Sequence, residues 1–263
     1  MRVGIIGCGN IGNELALFID KDKEFELIAL NDVDKNKVSD LISDLRNNAP
    51  KFMEVDALIK NCGLIIESAN KNIIHDVLSN KNLDKKNKKL LIMSTGGLIS
   101  NLNLVNKIKN CEMLLPSGAI AGLDAIKSVS GKIESLTLTT TKPVKGLESA
   151  PYVLKNNLDL KKLKDMQVIF DGSLNDAVEG FPQNINVAAT LFLASQFKNI
   201  KIRIIADPNT QFNTHEIEVV GSFGRIKTTT NNLPSKNPKT SYLAVLSAIN
   251  LLKNLKCSIK VGN

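Results

Sequence analysis

A glycine-rich turn near the N-terminus constrains the fold of this chain more than any other feature. The sequence Gly7-Cys8-Gly9-Asn10-Ile11-Gly12 directly follows an apolar segment, residues 3–6, and opens a helical pattern. Asp32 lies twenty residues beyond Gly12, at the end of a second apolar segment. A strand, a glycine turn, a helix and an acidic residue at this spacing are typical of a parallel-sheet domain that binds a dinucleotide.

Each part of this motif has an expected role. Gly7 permits the tight turn, Gly9 lets the backbone approach a pyrophosphate, and Gly12 allows the helix to pack close to the strand. The free N–H groups at the start of the helix favour an anion, so Asn10 and Ile11 are predicted to bind the cofactor with the glycines.

Asp32 is the residue that bears on the choice of cofactor. Its carboxylate is predicted to accept hydrogen bonds from the adenosine ribose, which favours NAD. Lys35 and Lys37 lie close enough in sequence to meet a 2′-phosphate, so the sequence leaves NAD and NADP both open.

Composition excludes several classes of protein. The 263 residues are 43% hydrophobic, which is ordinary for a globular domain and excludes a disordered or fibrous chain. No apolar run approaches the roughly 20 residues that span a bilayer, and the N-terminus lacks the pattern of a signal peptide. The four cysteines are scattered, so neither a metal site nor a disulfide framework is indicated. We therefore expect a reduced, cytoplasmic protein.

The formal net charge of +8 raises the question of a polyanionic partner. Only four of the 34 basic residues are arginines, and arginine is the side chain suited to bidentate base and phosphate contacts. The densest basic run, residues 81–89, contains no aromatic side chain for base stacking. We interpret residues 81–89 as a solvated loop, and the alternative is a patch that binds a polyanion. We expect no nucleic-acid and no membrane partner.

The chain changes character near Pro116. Before it, short apolar runs alternate with amphipathic stretches, which predicts parallel β-α-β units. The predicted strands are residues 3–6, 27–30, 64–66 and 90–93, and the predicted helices are residues 11–19, 73–78 and 102–108. After it, the predicted strands are residues 133–141, 167–170, 201–206, 216–220 and 225–230, and the predicted helices are residues 185–197 and 243–255. The last two strands flank an expected four-residue hairpin loop, residues 221–224.

This organisation predicts an α/β protein of two domains. Residues 1–116 are expected to form a Rossmann-type parallel-sheet domain that binds the dinucleotide. Residues 117–239 are expected to form a second, α+β domain with a mainly antiparallel open sheet. The terminal helix, within residues 240–263, is expected to pack back on the first domain.

Three further segments of the second half could carry chemistry. Residues 116–125 are small and glycine-bearing after a strand, which suits either a ligand or a tight turn. Asn184 and Asn186 open an apolar helix and could either cap it or offer amide groups to a ligand. Lys239 stands before the terminal helix, where it could hold a carboxylate or phosphate, or belong to a simple helix cap.

His215 is the strongest candidate for proton transfer. It lies at the mouth of a predicted strand and shares a face with Ile217 and Val219 by the period of two. Its ordinary pKa near 6.5 suits proton transfer at neutral pH, although an ordinary half-buried histidine would look the same. The only other histidine, His75, lies in a helical pattern and reads as a surface or packing residue.

The chain resembles the L-aspartate dehydrogenase family over nearly its whole length, most closely its archaeal members. The resemblance rests on the glycine motif and on residues 116–126, 181–191, 207–224 and 237–249. It implies an NAD(P)-dependent homodimer that oxidises L-aspartate to iminosuccinate. That product hydrolyses to oxaloacetate and ammonia or feeds NAD biosynthesis.

The resemblance also assigns residues. His215 matches the family's catalytic histidine, and Ala119 and Asn186 match positions that line the cofactor. Residues 139–144 (TTTKPV) depart from the family's usual TTRKPP-like run, and Lys142 could take the place of an arginine there. Positive groups must hold the two carboxylates of such a substrate, and Lys142 and Lys239 are the candidates.

Other functions are compatible with parts of the pattern. Homoserine dehydrogenase and dihydrodipicolinate reductase share the two-domain build, but the clustered histidines and lysine of the reductase are absent here. A dehydrogenase with a catalytic cysteine is not favoured, because no histidine lies near Cys111 in the sequence. A dinucleotide-binding redox sensor without catalysis is the alternative from another class.

Overall fold

The computed structural model describes residues 1–182, 185–233, 241–259 and 261. The chain divides into two compact units. The first comprises Met1–Pro116 with Ala248–Lys256, and the second comprises Ser117–Ser247 with the residues from Cys257 onward. Among the described residues, no helix has the length and hydropathy needed to span a bilayer.

A six-stranded, wholly parallel sheet forms the centre of the first unit. Its strands are β1 (Arg2–Ile6), β2 (Glu26–Asn31), β3 (Lys51–Phe52), β4 (Leu64–Glu67), β5 (Lys89–Ile92) and β6 (Glu112–Leu114). They lie in the order β3-β2-β1-β4-β5-β6, the doubly wound arrangement. In such sheets a ligand binds where the order reverses, here beyond the carboxyl ends of β1 and β4.

Helices account for the apolar character of these strands. Every residue of β4 is buried, which is the pattern of a parallel strand covered on both faces. The helices of this unit are α1 (Asn10–Asp20), α2 (Lys35–Asp44), α3 (Val55–Asn61), α4 (Ile74–Leu78), α5 (Gly96–Ile99) and α6 (Leu102–Val105). In α1 the buried residues include Leu15, Ala16 and Ile19, which form its apolar stripe.

The second unit is built on a five-stranded sheet of order β11-β10-β7-β9-β8. Its strands are β7 (Ile133–Pro143), β8 (Gln167–Ser173), β9 (Lys201–Asp207), β10 (Asn213–Gly221) and β11 (Gly224–Asn232). Only β7 and β9 pair in parallel, and the other three pairings are antiparallel. The predicted fold class, a Rossmann-type sheet plus a mainly antiparallel second sheet, is confirmed.

One face of this second sheet is buried. Residues alternate between buried and partly exposed along β10, as expected when helices cover a single face. The helices of this unit are α7 (Leu123–Ser128), α8 (Pro151–Lys155), α9 (Leu174–Gly180) and α10 (Asn186–Ser195). The terminal helix α11 (Tyr242–Asn254) contributes its first residues to this unit and its residues from Ala248 to the first.

Two local expectations were wrong. The hairpin between β10 and β11 has a two-residue loop, Ser222 and Phe223, because Gly221 and Gly224 pair as strand residues. A Cβ at Gly221 would lie 2.0 Å from the Lys132 carbonyl oxygen, so this glycine serves close backbone approach. The predicted helix 102–108 is a single turn, Leu102–Val105. The predicted helix 73–78 is confirmed as α4, Ile74–Leu78, which follows a 3₁₀ turn, Lys71–Ile73.

Candidate active site

The glycine turn joins β1 to α1 at the point where the sheet order reverses. Gly7 has φ +96°, and a Cβ there would lie 2.5 Å from the backbone nitrogen of Ala69, which follows β4. A Cβ at Gly12 would lie 1.9 Å from the Gly7 carbonyl oxygen, so α1 packs directly on the turn. A Cβ at Gly9 would meet nothing within 4 Å. Gly7 and Gly12 are therefore required by close contacts within the protein, whereas Gly9 leaves open space beside the turn.

The start of α1 suits an anion. Gly9 is its N-cap and offers no side-chain cap, and the first turn carries no acidic residue. The N–H groups of a helix N-terminus and the helix dipole favour negative charge in such a place. Asn10 and Ile11 occupy this first turn beside Gly12. The turn therefore fits the pyrophosphate of a dinucleotide.

Asp32 lies next to the turn. One of its carboxylate oxygens accepts a hydrogen bond from the Cys8 N–H at 2.8 Å, and the other accepts one from the Asp34 N–H at 2.9 Å. Of the two nearby lysines, Lys35 places its ammonium 5.0 Å from the centre of the Phe52 ring. The structure thus brings the glycine motif and the predicted ribose ligand together within the first unit.

A carboxylate that the sequence analysis missed lies beside this turn. Glu67 ends β4 and is completely buried, and burial raises its pKa to about 7. It accepts hydrogen bonds from the N–H groups of Ala69 (2.9 Å) and Ser94 (3.0 Å) and from the Ser94 hydroxyl (2.9 Å). Glu67 therefore ties together the segments that follow β4 and β5. A charged residue closing an apolar strand was the signal for it in the sequence.

The second unit carries a polar cluster at one end of the buried sheet face. Successive rows across this face are set by the pairing of β9, β7, β10 and β11. Leu138 and Ile217 form an apolar row, whereas the next row pairs Thr140 with His215 and His215 with Thr230. A row of polar residues on an otherwise apolar face is costly to bury without a function.

His215 lies in the middle of this cluster, on β10. It is 4% exposed, and its Nδ1 lies 3.0 Å from the Thr140 Oγ1. Burial, and next the positive charge of Lys142, lower the pKa of His215 to about 3. The imidazole is therefore neutral at physiological pH, and its Nδ1 is held by a hydroxyl.

Lys142 is the second titratable group of the cluster. It lies on β7, two residues from Thr140 and hence on the same face. It is 6% exposed, and burial lowers its pKa to about 8. Since the charge of Lys142 acts on His215, the structure brings these two predicted residues together.

Ala119 is anchored to the same end of the sheet. Its carbonyl oxygen accepts hydrogen bonds from the Thr230 hydroxyl at 2.8 Å and the Asn232 side-chain amide at 3.0 Å. The Thr230 hydroxyl also lies 3.4 Å from the His215 carbonyl oxygen. Sequence reasoning missed both anchors, because only the register of β10 on β11 places them beside His215.

The remaining predicted residues are less tightly placed. Asn186 is the first residue of α10 and is exposed, and its carbonyl accepts a hydrogen bond from the Thr190 hydroxyl. It does not serve as the side-chain cap of α10. Asn184 and Lys239 lie outside the described residues. His75 is an exposed residue of α4, as predicted.

The basic run of residues 81–89 is partly used within the protein. The Lys88 ammonium donates to the Cys62 carbonyl at 2.6 Å, the Lys85 ammonium donates to the Asn82 side chain at 3.1 Å, and Lys89 pairs with Glu112. These lysines therefore serve local structure.

Comparison with known proteins identifies the family. Residues 124–255 match the family model described as "Aspartate dehydrogenase, C-terminal", and residues 7–112 match "Homoserine dehydrogenase, NAD binding domain". The L-aspartate dehydrogenases of Methanosarcina mazei and Methanosarcina acetivorans are each 40% identical to this chain, covering 100% of it and 99% of each relative. The chain belongs to the L-aspartate dehydrogenase family.

Solved structures agree with this membership. The aspartate dehydrogenase of Thermotoga maritima is 25% identical to this chain and superimposes on it with a TM-score of 0.74. The match covers 100% of this chain and 99% of the Thermotoga maritima chain. The myo-inositol dehydrogenase of Lactobacillus casei, at 10% identity and a TM-score of 0.53 over 89% of this chain and 76% of its own, shares the fold. The predicted family and its nicotinamide dinucleotide cofactor are confirmed, and the match over the second half favours this family over the homoserine dehydrogenases.

Proposed function

We propose that this protein is an NAD(P)-dependent L-aspartate dehydrogenase that converts L-aspartate to iminosuccinate, which hydrolyses to oxaloacetate and ammonia. The observation that carries the proposal is the neutral, buried His215 beside the buried ammonium of Lys142. A proton acceptor next to a positive group suits a substrate that must lose a proton from nitrogen and that carries two carboxylates. We propose that the first unit binds the dinucleotide and the second supplies catalysis.

The cofactor is assigned to residues that fit it. The open space at Gly9 and the uncapped start of α1 suit a pyrophosphate, with Gly7 and Gly12 shaping the turn and Asn10 and Ile11 at the helix start. Asp32 is assigned to the ribose. By resemblance, Ala119 and Asn186 line the nicotinamide end. When bound, the nicotinamide supplies the acceptor for the hydride that leaves the substrate Cα.

His215 is assigned the proton transfer. An α-amino group is largely protonated near pH 7, and it must become neutral before the Cα–H bond can release a hydride. We assign the ring hydrogen of His215 to Nδ1, which donates a hydrogen bond to the Thr140 Oγ1. In this tautomer the Nε2 lone pair accepts the proton of the substrate amino group. The carboxylates of a bound substrate raise the pKa of His215 back towards its ordinary value, because negative charge favours the imidazolium.

Lys142 is assigned to a substrate carboxylate. A buried ammonium attracts a carboxylate strongly and forms a charge-assisted hydrogen bond with it. Lys239 is the second proposed carboxylate ligand, on the basis of its charge and its position before the terminal helix in the sequence.

The test of the function is an assay of NAD+ and NADP+ reduction over a panel of L-amino acids. We expect absorbance of the reduced cofactor to appear with L-aspartate and to be at least about 100-fold weaker with L-alanine, L-asparagine and L-homoserine. Turnover with L-homoserine instead would favour the homoserine dehydrogenase alternative. Dinucleotide binding with no turnover on any amino acid would favour a redox sensor.

A first prediction concerns Thr140 as a positioning residue. Thr140→Val keeps the branched shape but removes the hydroxyl that holds the His215 Nδ1, so we expect kcat to fall about 10- to 100-fold. Thr140→Ser keeps the hydroxyl and is expected to stay within about threefold of wild type. Steady-state kinetics across pH would measure both variants. A valine variant with wild-type kcat would show that the ring needs no such support.

A second prediction concerns pH. Because burial lowers the pKa of Lys142 to about 8, its positive charge is lost as pH rises through that value. Succinate keeps both charges across this range and has no amino group to titrate. Its inhibition constant against L-aspartate should therefore rise about tenfold per pH unit above pH 8. In Lys142→Met the inhibition constant should be high and independent of pH, and a pH-dependent constant in that variant would contradict the assignment.

The assembly, location and pathway are proposals on the same resemblance. We propose a homodimer in the cytoplasm whose iminosuccinate feeds NAD biosynthesis. All four cysteines are unpaired and three of them are buried, which suits a reducing compartment.

A further inference from the structure

Asn213 carries a buried hydrogen-bond donor that has no acceptor in the part of the chain that the structure describes. The residue opens β10 and is 2% exposed. Within residues 1–182, 185–233, 241–259 and 261, its side-chain Nδ2 has no hydrogen-bond partner, and no other buried side-chain nitrogen or oxygen is left in this state. Buried donors are paired in the great majority of cases, so this exception calls for an explanation.

The position of Asn213 places this donor in the polar cluster. Asn213 lies two residues before His215 and shares its face of the sheet. Thr214 pairs with Thr141, so the same register continued by one residue sets Asn213 opposite Lys142. Cβ atoms of residues directly opposite in a sheet lie about 5 Å apart. The amide therefore belongs to the row of the buried ammonium, one row beyond the imidazole.

The described part of the fold does not use this donor. The Asn213 carbonyl accepts a hydrogen bond from the Asn232 side chain at 3.1 Å, and Asn213 pairs with Asn232 along β11. These contacts are made by the main chain of residue 213, so they do not depend on its side chain. An apolar side chain of similar size would fill the same buried position without leaving an N–H group unsatisfied.

A carboxylate is the ligand that fits an amide donor beside an ammonium. Lysine supplies a compact charge with rotatable donors, so it neutralises an anion without fixing its orientation. An amide N–H on a strand supplies one bond in a fixed direction. We propose that the Asn213 Nδ2 donates a hydrogen bond to the substrate carboxylate that Lys142 neutralises. This rests on the proposed function and makes Asn213 a residue that selects for a dicarboxylate.

The test uses the full-length protein and the variant Asn213→Leu. We expect KM for L-aspartate to rise at least about tenfold, because a hydrogen bond to a charged group is lost. The affinity for NADH, measured by its fluorescence, should stay within about twofold. The melting temperature of the free protein should be unchanged or higher, since the unsatisfied donor is gone. Asn231→Leu is the matched control, because Asn231 is exposed on the opposite face of β11 and should leave KM unchanged.

A binding measurement separates this inference from the function itself. Stabilisation against heat by L-aspartate or by succinate, with NADH present, reports carboxylate binding without turnover. Wild-type protein that is stabilised but does not turn over, with stabilisation lost in Asn213→Leu, would support the carboxylate site and contradict the proposed reaction. Turnover in wild type with unchanged KM and unchanged stabilisation in Asn213→Leu would overturn the inference alone. Wild-type protein with neither property would contradict both.

Discussion

Replacing His215 with alanine is expected to lower kcat for L-aspartate oxidation by about 10²- to 10⁴-fold. The ring is the neutral base of the buried cluster, and no other imidazole lies in the second unit. Dinucleotide affinity should stay within about twofold, because the glycine turn and Asp32 belong to the first unit. Stopped-flow or steady-state absorbance of the reduced cofactor gives the rate, and NADH fluorescence gives the affinity.

The second histidine provides a control within the same chain. His75 is exposed on α4, so His75→Ala should retain wild-type kcat. His215→Gln preserves more of the buried volume and shows whether a loss in His215→Ala comes from a cavity. Near-normal turnover in both His215 variants would remove this residue from the mechanism.

Replacing Gly9 with alanine is expected to weaken dinucleotide binding by between tenfold and about a hundredfold without unfolding the protein. Gly9 has φ −73° and ψ −166°, which any residue adopts, and its added Cβ meets no protein atom within 4 Å. The methyl group would therefore obstruct only what approaches the turn from outside. Titration with NADH and a thermal melt without cofactor would separate the two effects.

The neighbouring glycines predict different outcomes. In Gly12→Ala the Cβ lies 1.9 Å from the Gly7 carbonyl oxygen, so the free protein should lose about 1–3 kcal/mol or more of stability. Gly63→Ala is the neutral control, since its nearest neighbour lies at 3.8 Å. A Gly9→Ala protein that binds NADH like wild type would show that the pyrophosphate does not lie against this turn.

The architecture of the first unit was predictable because its signals are local. Parallel strands buried on both faces appear as continuous apolar runs, and the glycine turn with Asp32 marks the first crossover. The two-residue strand Lys51–Phe52 and the single-turn helix Gly96–Ile99 were missed, since elements so short carry no periodicity. The helix predicted over residues 102–108 was too long for the same reason. The length of the hairpin loop was predicted wrongly because glycine occurs both in turns and in strands that lie close to another backbone segment.

The chemistry of the second unit was predictable only in part. His215 stood out because histidine is scarce, and Lys142 came from a family resemblance. Thr140 and Thr230 gave no signal alone, since they become neighbours of His215 only when three strands pair in a particular register. Asn213 gave none because its position opposite Lys142 also depends on that register. Burial, which lowers the pKa of His215 and Lys142, is likewise a property of the assembled sheet.

The two hydrogen bonds that Asp32 accepts have a consequence for redesigning cofactor choice. Removing its charge is the obvious route towards a phosphorylated ribose, yet the same carboxylate braces the backbone at Cys8 and Asp34. An alanine there would release both segments, and an asparagine would retain one acceptor oxygen. The same carboxylate therefore influences both the choice of cofactor and the shape of the turn. A variant with a changed cofactor preference would need another hydrogen-bond acceptor for the Cys8 N–H.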